Sequence, residues 1–201
     1  MPPRYAAPLV AVLTILPGVV DAGAGEDWPC IQPLVPEMSY GLLWAGAPLE
    51  PHFETWDRDR QRAEMVARVA PLTTSDEQAR ARLVEYLEAH APVDEMEQAR
   101  VFAGIFLTLN TQRSDAISAA KRYKRGQQAA LSAIADRLRR LDRALKAEPR
   151  DEQAINDLRS DLHWMRRAFD ARRTALEAVC AQPTLIEQRM GDLLRVLRSV
   201  G

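Results

Sequence analysis

The chain has 201 residues, 47% of them hydrophobic, and a formal net charge of -1 from 27 Lys and Arg against 28 Asp and Glu. That hydrophobic share suffices to bury a core, which excludes disorder of the whole chain, and the balanced charge gives no bulk electrostatic reason to expect a nucleic-acid binder. Three His, two Cys and nine Gly without phosphate-loop spacing leave the common catalytic and cofactor chemistries without their usual residues, so no cofactor and no catalytic residue are expected.

The N-terminal segment has the pattern of an export signal. Arg4 precedes an apolar stretch over residues 9–20, and Ala22-Gly23-Ala24 fits the small-x-small rule for signal peptidase, so residues 1–24 are expected to be removed by cleavage after Ala24. An uncleaved membrane anchor is the competing reading. The stretch, interrupted by Pro17, is shorter than the roughly 20 residues a spanning helix needs. Export to the periplasm would put Cys30 and Cys180, the only cysteines, in an oxidising compartment. Neither lies in a Cys-x-x-Cys or Cys-x-x-Cys-His motif, so a structural disulfide is expected over two free thiols.

Residues 25–54 carry Pro29, Pro33, Pro36, Pro48 and Pro51, the tryptophans Trp28 and Trp44, and a local charge of -5 with no Lys or Arg. Proline at this density disfavours helix, and the segment is predicted to be an extended strap. Residues 57–201 carry +4, so strap and body attract, and Trp28 beside Cys30 would bury area on the helices.

The remainder, residues 55–201, is predicted to be all-α. After Gly46 the only glycines are Gly104, Gly126, Gly191 and Gly201, and no stretch alternates as a strand would. A first helix is predicted over 56–69, with Met65, Val66 and Val69 as apolar positions. A second begins at a capping box, Thr74-x-x-Glu77, and buries Leu83, Val84 and Leu87. No proline interrupts residues 93–147, which predicts one long helix or two nearly collinear ones. Its start, residues 101–109, is apolar almost all round and must be covered on several sides.

Farther along, Leu131, Ile134, Leu138, Leu141 and Leu145 follow the 3, 4, 3, 4 spacing of a coiled-coil seam. The alternation resumes after Pro149 with Ile155, Leu158, Leu162, Met165 and Phe169, and it passes Pro183 in phase to Ile186, Met190, Leu193 and Leu197. Folding back near Pro149 makes an antiparallel, coiled-coil-like hairpin in which paired residue numbers sum to about 300. The short N-terminal helices should bundle at one end, leaving about 128–170 to project.

Three positions are expected to form a polar seam layer: Lys124, Gln127 and Arg172, with Gln127 facing Arg172. Such a layer sets register at some cost in stability, and an anion site or hinge is the alternative. Arg113 should lie near Glu187 as a structural ion pair. A basic belt that includes Arg166, Arg167 and Arg173 is expected to be solvated and partly neutralised by Asp170 and Glu177 at helical spacing. Trp164 falls at an outward heptad position, which makes it, with Arg166, Arg167 and Arg173, the candidate partner-binding set. His52, His90 and His163 show no metal-ligand spacing, so no metal site is expected.

The string Asp27-Trp28-Pro29-Cys30-Ile31-Gln32, with Val35-Pro36, Trp44, Phe102-Ala103-Gly104-Ile105-Phe106 and Leu109-Asn110, resembles a group of exported proteobacterial proteins of uncharacterised activity. The resemblance implies export and attaches no activity. With no catalytic constellation in the residues and a projecting helical hairpin, function is expected to be non-enzymatic: a periplasmic helical interaction or scaffold protein whose partner is another periplasmic protein, with contact to a membrane surface as a weaker option. A stress- or metal-responsive helical-hairpin chaperone is the alternative, although Leu72-Thr73 with Gln78 and Leu107-Thr108 with Gln112 miss the Leu-Thr-x-x-Gln spacing of such proteins. An enzyme of unrecognised type is the third reading.

Overall fold

The structure, a computed structural model, describes residues 27–199; the expected export signal and its cleavage point lie outside the described residues. Among the described residues there is no strand. Five helices follow in order: α1 (Tyr40–Leu43), α2 (Arg60–Val69), α3 (Asp76–Ala89), α4 (Glu95–Lys146) and α5 (Glu152–Ser199). Helices α4 and α5 pack against each other as the two arms of a hairpin. Their antiparallel register is marked by the ion pairs Arg113–Glu187 and Arg137–Asp161, in agreement with residue numbers summing to about 300.

Short polar side chains start four of these helices, with Asp151 accepting from the Ala154 N–H at the start of α5 at 3.0 Å. The Asp59 carboxylate accepts from the Arg62 N–H at 2.8 Å, the Ser75 hydroxyl from the Gln78 N–H at 3.2 Å, and the Asp94 carboxylate from the Glu97 N–H at 2.6 Å. Each satisfies an amide that has no partner inside its helix. Two boundaries differ from expectation for this reason. Residues Trp56–Arg58 form a 3₁₀ turn, because Asp59 begins α2 only at Arg60. The cap of α3 is Ser75 in place of Thr74, whose hydroxyl instead donates to the Arg68 carbonyl at the end of α2. Helix α4 is one unbroken helix, and α5 runs through Pro183 without ending.

The core lies at one end, where α2 and α3 cover the start of α4 and the close of α5. Val66, Val69, Leu83, Leu87, Phe102, Ile105, Leu109, Leu193 and Leu197 are buried there. The strap completes this cover. Leu49 is buried, Trp44 stacks on Phe102 at 4.9 Å between ring centroids, and Tyr40 and Phe53 pack around Phe106. Residue 104 must be glycine for the same packing: a Cβ there would overlap the indole ring of Trp56, well inside van der Waals contact.

Three buried arginines pin irregular chain to this frame. Arg189 of α5 donates to the carbonyls of Val69 and Thr74 at 2.8 and 2.6 Å and to Asp76, holding the α2–α3 turn. Arg62 donates to the Trp56 carbonyl at 2.6 Å and forks onto Glu97 at 2.7 and 2.8 Å. Glu97 also accepts from the Tyr86 hydroxyl at 2.9 Å, and burial, together with that carboxylate, raises the Tyr86 pKa above its ordinary value. Arg113 does the same for the strap, as described below. A guanidinium offers five donors in a fixed fork, so one side chain can satisfy several carbonyls of a turn that has no ladder of its own.

Away from this end the hairpin thins. Between residues 121 and 182, Ile155 is the only buried residue among those described. The expected seam divides: Ile134, Leu141 and, near the turn, Leu145 are half-buried, whereas Leu131 and Leu138 are 51% and 53% exposed.

Candidate interaction surface

The strap enters the α4–α5 groove at the waist of the hairpin. Cys30 and Cys180 form a disulfide with Cα atoms 5.5 Å apart across 150 residues of sequence. Trp28 is buried on Ile117 and Ala120, with Leu34 and Val179 beside it, and its indole N–H donates to the Gln32 carbonyl at 2.7 Å. The Gln32 side-chain amide in turn donates to the Cys180 carbonyl. Asp27 pairs with Arg125 at 2.8 Å, a contact that joins the acidic strap to the basic belt.

Arg113 is the junction of strap and hairpin. It is 3% exposed, pairs with Glu187 at 2.6 Å and donates to the Val35 carbonyl at 2.6 Å. The pair with Glu187 was visible in the heptad arithmetic. The strap carbonyl was not, because nothing in the local sequence says which backbone a buried guanidinium will meet.

Around the expected polar layer the sides separate. Gln127 is half-buried, and its carbonyl oxygen, like the nearby Tyr123 hydroxyl, is buried without a hydrogen-bond partner among the described residues. Lys124 is half-buried. Arg172 is exposed, so this layer is open to solvent on the α5 side. The hairpin is thin here, and water solvates a guanidinium better than a two-helix seam can.

The expected helical pairing of the belt is corrected. Among the described residues Asp170 and Glu177 close no ion pair with Arg166 or Arg173, all of them exposed. Side-chain entropy and solvent screening cancel most of the attraction between exposed ions. Residues 121–180 contain fifteen Lys and Arg against nine Asp and Glu, so this part of the hairpin is distinctly basic. Trp164 is 63% exposed, with the Arg167 guanidinium 5.7 Å from its ring centroid and His163 against its edge.

The histidines do not converge. His52 is buried in the strap with Nε2 unpartnered, His90 joins the Tyr86 carbonyl to Gln61, and His163 is exposed on the hairpin. No group of three or more His, Cys, Asp or Glu among the described residues could hold a metal ion, and no described helix is long and apolar enough to cross a membrane. A separate groove of about 700 Å³ lies between the α2–α3 turn and the hairpin, walled by Leu72, Ala116, Ala119, Ala175, Val179 and Ile186. Comparison with known families, curated proteins and solved structures returns no match to this chain.

Proposed function

We propose that this protein is an exported, periplasmic, non-enzymatic interaction module: a disulfide-tied helical bundle that holds a long hairpin out toward a protein partner. One observation carries the reading. The hairpin beyond the strap places Leu131, Leu138 and Trp164 half or more exposed on an otherwise charged surface, while at the bundle end a core is buried under α2, α3 and the strap and Leu42, Met96 and Leu185 are the large apolar side chains left exposed. Large apolar and aromatic side chains exposed on a projecting arm are the usual anchors of interfaces. The strap disulfide and the resemblance of the Asp27–Gln32 string to exported proteins support the compartment.

The test is photo-crosslinking in intact cells, with a photoreactive residue at position 131, 138 or 164, or at Glu88 on the exposed side of α3 as reference. A discrete adduct from the hairpin positions and none from position 88 is the expected result; equal labelling at all four would overturn the reading. The second groove favours one alternative, a chaperone that shelters apolar segments of other proteins. Suppression of aggregation of a reduced client, lost in Ala119→Glu but retained in Leu138→Ser, would select it.

A further inference from the structure

The leucine pattern of α4 suits a three-helix coil, and this chain supplies two of the helices. In a coiled coil both heptad rows of a helix are covered. Here Ile134 and Leu141 are half-buried, while Leu131 and Leu138, in the other row, remain open. That open row is the strap's groove continued. Stepping back by sevens from Leu138 and Leu131 leads to Lys124 and then Ile117, on which Trp28 of the strap is packed. On the facing helix, stepping back by sevens from Cys180, the strap's covalent attachment, gives Arg173, Arg166 and Arg159. Arg173 indeed lines the same depression as Cys30 and Ile31. Continued past the strap by heptad spacing, the groove has Leu131 and Leu138 on one wall and Arg173, Arg166 and Arg159 on the other, with Asp142 beside Leu138 and Glu177 beside Arg173.

We propose that this open groove binds an acidic amphipathic helix of the partner, completing a three-helix coil along the hairpin; the inference rests on the interaction-module reading and names its chemistry. Two facts choose the occupant. The groove already takes an acidic, apolar segment where the strap lies in it, with Asp27 on Arg125. Arg159, Arg166 and Arg173 close no ion pair among the described residues, and their repeat of about 10.5 Å matches carboxylates spaced by seven on a helix. A second copy of the chain is disfavoured because it would bring two basic hairpins together. The strap cannot fill the site in the cleaved form. Only Gly25 and Glu26 would precede Asp27 and reach about 7 Å, whereas Leu138 lies about 20 Å along α4 from Arg125.

The experiment uses the mature, oxidised protein and a fluorescent synthetic helix of about three heptads, with Leu at the core positions and Glu at the flanks, beside a twin carrying Lys for Glu. Fluorescence anisotropy should show the Glu peptide binding about tenfold or more tighter than the Lys peptide at low salt, with the difference shrinking at high salt. In Arg159→Glu/Arg166→Glu/Arg173→Glu the preference should invert, and Leu131→Ser/Leu138→Ser should weaken both peptides. All five positions lie outside the core, so helix content and melting temperature serve as folding controls. Equal binding of the two peptides, or an unchanged preference in the charge-reversed protein, overturns the proposal. Binding to phosphatidylglycerol vesicles that needs the same arginines, with neither peptide bound, overturns it in favour of a lipid surface. If the peptides fail while position 138 still crosslinks in cells, only the acidic-helix chemistry falls; loss of both results removes the interaction-module reading as well.

Discussion

Buried arginine is expensive to desolvate, and this protein uses it where backbone carbonyls of irregular chain would otherwise be stranded. Arg189 satisfies the carbonyls of Val69 and Thr74 and meets Asp76. Arg189→Met keeps most of the apolar stem but leaves these acceptors unpaired, and it should destabilise by about 3 kcal/mol in urea unfolding. A loss below about 0.5 kcal/mol would mean that water replaces the guanidinium without cost. The leucines of the hairpin fall on the other side of the same account. Leu138 is 53% exposed and Ile155 is 1% exposed, so Leu138→Ala should cost under about 1 kcal/mol and Ile155→Ala about 2 to 4 kcal/mol. Heptad spacing alone would assign Leu138 the full core penalty. It identifies the positions able to face a helix, and burial then depends on how many helices are present. Equal losses for the two variants would show that Leu138 is covered in solution.

Among the elements, the strap depends most on a single bond. Its contact with the hairpin rests on Trp28, the Gln32 amide, Arg113 and the Cys30–Cys180 disulfide. Joining residues 150 apart in sequence removes loop entropy from the unfolded chain worth about 5 kcal/mol on the chain-entropy argument. Mass mapping without reduction should recover a peptide pair containing both cysteines. Cys30→Ser/Cys180→Ser should lower the melting temperature and red-shift Trp28 emission as the indole gains water. A variant with unchanged stability and emission would show that Trp28 and Arg113 hold the strap unaided. Much of this arrangement was legible in the sequence: proline density marked the irregular segment, and cysteine count with the export pattern marked the bond. The cap of α3 was displaced by one residue because Thr74 and Ser75 are both competent caps, and only the closing of α2 by the Thr74 hydroxyl decides between them. The exposure of Arg172 was illegible for a related reason, since a heptad position does not record whether water reaches it.

At the scale of the molecule, one pair of helices runs through two environments. Near residues 99–109 and 186–197 the pair is covered by α2, α3 and the strap, with Val101, Phe102, Ile105, Leu109, Leu193 and Leu197 buried. Beyond the waist it is a bare hairpin whose only buried residue among those described is Ile155. Opening of the covered end exposes the whole core, whereas opening of the hairpin exposes little beyond the α4–α5 seam. Local stability follows the apolar area lost on opening. Native-state hydrogen exchange should therefore separate the two. Amides of residues 99–109 should exchange only through global unfolding and follow its denaturant dependence, while amides of residues 128–170 should exchange through a smaller opening with a shallower dependence. Protection should rise again near Ile155, where the hairpin closes. Uniform protection along α4 would mean that the hairpin and bundle unfold as one unit, and the projecting arm would then owe its order to coupling with the bundle. The gradient also bears on binding: a partner helix laid along Leu131 and Leu138 would contribute the missing apolar area where the pair is weakest, so its arrival should raise protection in residues 128–170 and leave residues 99–109 unchanged.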